Sequence, residues 1–178
     1  MAVYYQPGYR PCNCDKHECD HHSSIDCKPK NIGFHCNNLT GASGVAVVAV
    51  GDTVTQRNLG NLSITGLECF KRPTIKLDLT AIITVNAALA VDTTITFRIF
   101  KRCGNDPETE IQSFDVSPGL ALIAGTSLPV AFSICDHNDC LSRCCVYRVT
   151  VEATAAVAVA AAININQGTL SAIVSDLC

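Results

Sequence analysis

The clearest pattern in the chain is a two-residue alternation of apolar and polar positions. In TIKLDLTAIITV, Ile75, Leu77, Leu79, Ala81, Ile83 and Val85 alternate with Lys76, Asp78 and Thr80. A period of two marks a strand with one face buried and one face wet. TTITFRIF repeats it with Ile95, Phe97 and Ile99, and LPVAFSI with Leu128, Val130, Phe132 and Ile134. VAVVAV (45–50) is a β-branched run, and Leu59, Leu62 and Ile64 mark a further segment before residue 65. IQSFDV lies between turn signals at CGNDPE and Ser117-Pro118-Gly119.

From Tyr147 the odd positions run Val149, Val151, Ala153, Ala155, Val157, Val159, Ala161, Ile163 and Ile165. Alanine favours helix, but Val and Ile at strict alternation favour strand. The stretch reads as one long strand, or as two with a bend in the alanines. NQG (166–168) then reads as a turn before a last strand, TLSAIVS. The pattern predicts an all-β fold: a single jelly-roll-type β-sandwich of about eight strands over residues 41–178. Residues 1–40 show neither periodicity for long and read as an extended N-terminal connector arm.

Composition changes this picture in two ways. Only 16% of residues are charged and the net charge is −3, so the surface is weakly charged and suited to association. Nothing draws it to nucleic acid or an anionic membrane. The apolar run at 153–165 is too short for a helical span, which needs ~20 residues. Tryptophan is absent, so no stacking platform for sugars or bases is evident. The second change is cysteine. Twelve occur: Cys12, Cys14, Cys19, Cys27, Cys36, Cys69, Cys103, Cys135, Cys140, Cys144, Cys145 and Cys178. Such a load implies an oxidising location or metal binding. Yet the amino terminus carries no basic and apolar export signal. A protein made in a cytosol and exposed on lysis would reconcile the two, as would thiols that bind metal inside the cell.

The leader stretch CNCDKHECDHH (12–22) has soft and imidazole ligands that suit zinc. No Cys-x₂-Cys knuckle occurs anywhere in the chain, which counts against a structural zinc site. As a covalent fastener the arm has the reach: thirty extended residues cross a domain of this size. The second cluster, CDHNDCLSRCC (135–145), reads as a loop stapled by disulfides. Its adjacent Cys144 and Cys145 should face opposite sides of a strand and take different partners. A catalytic role for Cys135 or Cys140 with His137 is disfavoured, because Asp136 and Asp139 flank the histidine and a thiolate needs an electropositive setting. No catalytic triad order, paired carboxylates or phosphate-binding loop appears. The chain reads as a non-enzyme without a cofactor.

The segments TFRIFKRC, FSICDHNDCLSRCCVYRVTV and NQGTLSAIVSD together resemble an uncharacterised cysteine-rich family of spore-forming clostridia. The plan of a cysteine-bearing leader before a β-domain is also similar to the endospore appendage (Ena) subunits of bacilli. That resemblance implies a spore-surface homopolymer, a helical filament without a signal peptide, with an anchoring or tip protein as a further partner. It implies Cys12 and Cys14 as connector cysteines, and Cys36 and Cys178 as acceptors on neighbouring copies. Cys19, Cys27 and the 135–145 loop depart from that plan. The remaining cysteines stand as further disulfide candidates. The rival reading is a metal-binding spore-coat protein using the Cys/His leader.

Overall fold

A computed structural model describes residues 32–70, 72–89, 92–117, 123–137, 144–156 and 162–176. Its longest uninterrupted alternation forms the central strand of one sheet. The strands are β1 (Ile32–Leu39), β2 (Ala42–Ala49), β3 (Arg57–Thr65), β4 (Pro73–Val85), β5 (Thr94–Cys103), β6 (Thr109–Val116), β7 (Ser127–His137), β8 (Cys144–Ala155) and β9 (Ala162–Asp176). The described residues contain no α-helix, only a short 3₁₀ turn at Leu67–Cys69.

Two sheets stack face to face. In the first, β9 and β7 flank β4, antiparallel to it, and β1 and then β2 pair along the outer side of β9. In the second, β5 lies between β6 and β8, and β3 pairs along the other side of β8. Strand β2 belongs to both sheets: it runs antiparallel to β9 and, at its end, parallel to β8. It closes one side of the sandwich. On the opposite side β6 and β7 end their sheets.

Each sheet turns its alternate apolar residues inward, so the core lies between them. Ile75, Leu77, Leu79 and Ile83 of β4 and Leu170, Ala172 and Val174 of β9 meet Phe97 and Ile99 of β5 and Tyr147, Val149 and Val151 of β8. The outer face of the second sheet carries charges instead. Arg98 pairs with Glu110 at 3.1 Å and with Glu152 at 2.7 Å, and the Arg148 guanidinium lies 4.5 Å over the Phe100 ring while bonding Glu108.

Two expectations change, and one open alternative is settled. Strand β1 occupies residues 32–39, which read as part of the arm. IGFHCNNL lacks a full alternation because most of it faces solvent, with only Leu39 buried. The alanine-rich region holds two strands, β8 and β9, ending at Ala155 and beginning at Ala162. NQG is not a turn. Strand β9 runs straight through it, with Gln167 at φ 44° and the register against β4 shifting between Thr80 and Ile82. A β-bulge absorbs the residues that break alternation. The chain therefore has nine described strands rather than about eight.

Candidate assembly interface

Four strands pair on one side only among the described residues: β1, β3, β6 and β7. Such edges present unmatched backbone donors and acceptors, a template for another strand. The β1 and β3 edges are stitched to each other. Asn37 donates from Nδ2 to the Asn61 carbonyl at 2.7 Å, and the Thr40 amide donates to the Leu59 carbonyl at 2.8 Å. The β6 and β7 edges meet through side chains. Phe114 stacks on Phe132 with ring centroids 4.4 Å apart, and Phe132 leans on Phe97 at 5.5 Å. Ile111, Phe114, Val116, Leu128, Val130, Phe132 and Ile134 along these two strands stay only partly buried. No residue of β6 or β7 is fully buried. This side of the sandwich leaves apolar surface beside two open edges.

The outer face of the first sheet is the second feature. Phe34 of β1 lies directly opposite Ile173 of β9, and both are exposed, at 68% and 38%. Ile32, at 67%, is the next same-face residue of β1. The three form an apolar cluster on a water-facing sheet. Cys36 and Cys135 lie on the same face, and both are exposed free thiols. The register places them one row apart. Cys36 faces Ser171, Asp78 and Ser133 across the sheet, whereas Cys135 faces Lys76, Ile173 and Phe34. Three strand spacings and two residues put about 16 Å between them. Near Cys135, His137 Nδ1 is 3.5 Å from Thr74 Oγ1. Lys76 pairs with Asp78 at 3.1 Å. The Ser133 hydroxyl and then Lys76 hold the Asp78 carboxylate below its ordinary pKa.

The other described cysteines are less exposed: Cys103, Cys144 and Cys145 are buried and Cys69 is half-buried. Cys103 and Cys145 are opposite each other in β5 and β8 and form a disulfide on the core side. Cys69 is also disulfide-bonded. Cys144 is buried, and its carbonyl accepts from the Gly104 amide at 3.2 Å. Cys12, Cys14, Cys19, Cys27, Cys140 and Cys178 lie outside the described residues, as does the Cys/His leader. Among the described residues no three His, Cys, Asp or Glu side chains converge as metal ligands.

A family model described as a domain of unknown function, DUF4489, matches residues 34–175. The chain belongs to this family. The match begins inside β1 and ends inside β9, so the DUF4489 domain coincides with the whole sandwich, β1 included. No curated protein matches the chain. Solved structures do. A VP2 subviral particle of infectious bursal disease virus superposes with a TM-score of 0.54 at 8% identity, covering 83% of this chain and 34% of that one. The Gx strain of the same virus gives 0.51 at 11% identity, covering 98% and 37%. This chain thus spans about a third of the viral proteins' length. At such identities the likeness is one of fold: the DUF4489 domain is a jelly-roll-type sandwich.

Proposed function

We propose that this DUF4489 chain is a structural subunit that assembles with copies of itself into an extracellular filament on the spore surface. The observation that carries the reading is the β6–β7 side, where two open sheet edges flank partly exposed apolar residues. Strand addition there would satisfy the edge backbone and cover those residues. A head-to-tail contact between unlike surfaces propagates into a helical filament where its rotation does not close a ring. The jelly-roll fold shared with a protein of viral particles supports an assembling role.

The N-terminal arm supplies the covalent part. Cys36 and Cys135, free and exposed on one sheet face, are ready acceptors for its cysteines. Cys12 and Cys14, two residues apart, reach only about 7 Å, so each would serve a different site. Cys14 and Cys19, five apart, reach roughly 16–18 Å and could engage both thiols of one neighbour. Oxidation by dioxygen after release from the cell would close these bonds. The heavy cysteine usage fits that setting, and the plan of a cysteine-bearing leader before a β-domain resembles that of the endospore appendage subunits.

Electron microscopy of the purified full chain tests the reading, together with gels run with and without reductant. Helical filaments that resist detergent until reduced are expected, with Cys36→Ser lowering the covalent ladder. An unreduced protein that runs as a monomer and forms no filaments overturns the proposal.

A further inference from the structure

Lys101 occupies an inward position of β5, where alternation calls for an apolar residue. Its side chain is 10% exposed, and Nζ lies 2.7 Å from Oδ2 of Asp136, itself 14% exposed. The same oxygen accepts a hydrogen bond from the hydroxyl of Tyr147 at 2.5 Å, and Tyr147 is wholly buried. Lys101 and Tyr147 face each other in β5 and β8, one inward pair along from the Cys103–Cys145 disulfide. Asp136 belongs to β7, in the other sheet. The contact therefore spans the sandwich on the β6–β7 side. There, among the described residues, no strand belongs to both sheets, whereas β2 does so on the far side.

An ion pair in such a place is an expensive way to join two sheets, because both charges leave water. A neutral amide would remove both charges and keep the contact. We propose that Lys101 and Asp136 condense into an intramolecular isopeptide bond, making this a self-modification site that locks the two sheets together. The ammonium of Lys101 first passes a proton to the Asp136 carboxylate. The neutral Nζ then attacks Cγ, an Nζ–Cγ bond forms, and the bond from Cγ to Oδ2 breaks. Oδ2 leaves as water, carrying two protons that began on Nζ. Tyr147 stays protonated overall and steadies the charge on Oδ2 through its hydrogen bond as that bond breaks. No oxidant, metal or nucleotide is consumed. Confinement at contact distance replaces activation, since well-oriented groups behave as if on the order of 10⁵ M or more. The bond would tie the side of a filament subunit where no described strand crosses between the sheets, yet the reaction needs no neighbour.

Intact mass of the purified, fully reduced chain, incubated until constant, tests this directly. The expected mass is one water below that of the sequence. A tryptic digest should contain a branched peptide joining the segments of Lys101 and Asp136. Lys101→Arg and Asp136→Ala should each restore the full mass, and Tyr147→Phe should slow the loss about tenfold or more. A wild-type mass equal to that of the sequence overturns the proposal. So does a water loss that maps to a linear peptide, because Asp136 followed by His137 can lose water by cyclising on its own backbone. The wild-type measurement decides even if every variant fails to fold, and its failure leaves the filament reading intact.

Discussion

Gly41, between β1 and β2, has a φ of +73°, and a Cβ there would lie 2.3 Å from the Ile165 carbonyl oxygen. Both the backbone conformation and the space require glycine. Gly41→Ala is expected to destabilise the fold by about 1–3 kcal/mol, read from the denaturant midpoint. Glycine at this point was legible only as a turn signal; the approach of β9 depends on a partner 124 residues away in sequence. Charge behaves differently at this scale. Its hydrogen bond from Arg148, on the outer face, holds Glu108 below its ordinary value of 4.5. The folded pKa is lowered, so the stabilisation is present above the unfolded value and is lost as pH falls through the folded one. Stability should therefore drop below pH ~4.5, and Glu108→Gln should flatten that drop. The pair is about one-third exposed, so the difference is only about 0.2–1 kcal/mol, measurable as unfolding free energy against pH. Lys101 and Asp136 show what alternation holds but a search for apolar faces overlooks. Ile95, Phe97 and Ile99 lead in phase to Lys101, and Val130, Phe132 and Ile134 lead to Asp136. Two inward phases ending in opposite charges were a signal of a buried pair.

At the scale of elements, strands with one wet face were legible and strands at special places were not. β4, β5 and β7 follow alternation throughout because each presents one face to the core and one to water or charge. β1 escapes detection because an exposed edge strand need not alternate, and its apolar Ile32 and Phe34 point outward. NQG misleads because a glycine-containing break signals a turn and a bulge alike; here Gly168 is buried, and a Cβ on it would lie 3.1 Å from the Thr80 carbonyl oxygen. The Cys103–Cys145 bridge ties β5 to β8 across 42 residues of sequence. Spacing alone left Cys103 with several possible partners, since pairing is fixed by strand register. A loop of that length restrains the unfolded chain strongly. Replacing both cysteines by alanine should lower the unfolding free energy by about 2–4 kcal/mol. Reductant should cost the wild type at least as much, because it also opens the Cys69 bond, and a smaller reductant effect in the double variant would assign the difference to Cys103–Cys145. A reductant effect that persists undiminished in the double variant would place the stabilising bond elsewhere.

For the whole molecule, the sandwich and the arm make separable contributions. The described strands already form a core with its own topology, and the family match from 34 to 175 covers that core alone. Folding should therefore survive removal of residues 1–31, whereas polymerisation that depends on arm cysteines should not. Circular dichroism of the truncated chain is expected to keep the β signature and a cooperative melt, while electron microscopy shows no covalent filament. Open edges at β6 and β7 remain in the truncated protein, so weak, reductant-insensitive association at high concentration is expected to persist. Adding lysines on the wet side of β7, for example Ala131→Lys with Ser133→Lys, should suppress that residual association, because charge on an open edge discourages strand addition. The two interventions separate the contributions of arm and edge. Loss of filaments on truncation alone assigns the covalent step to residues 1–31, and loss of residual association on charging β7 assigns the non-covalent step to the open edge. Filaments of normal length and detergent resistance from the truncated chain would remove the arm from the assembly and leave edge pairing as the whole of it.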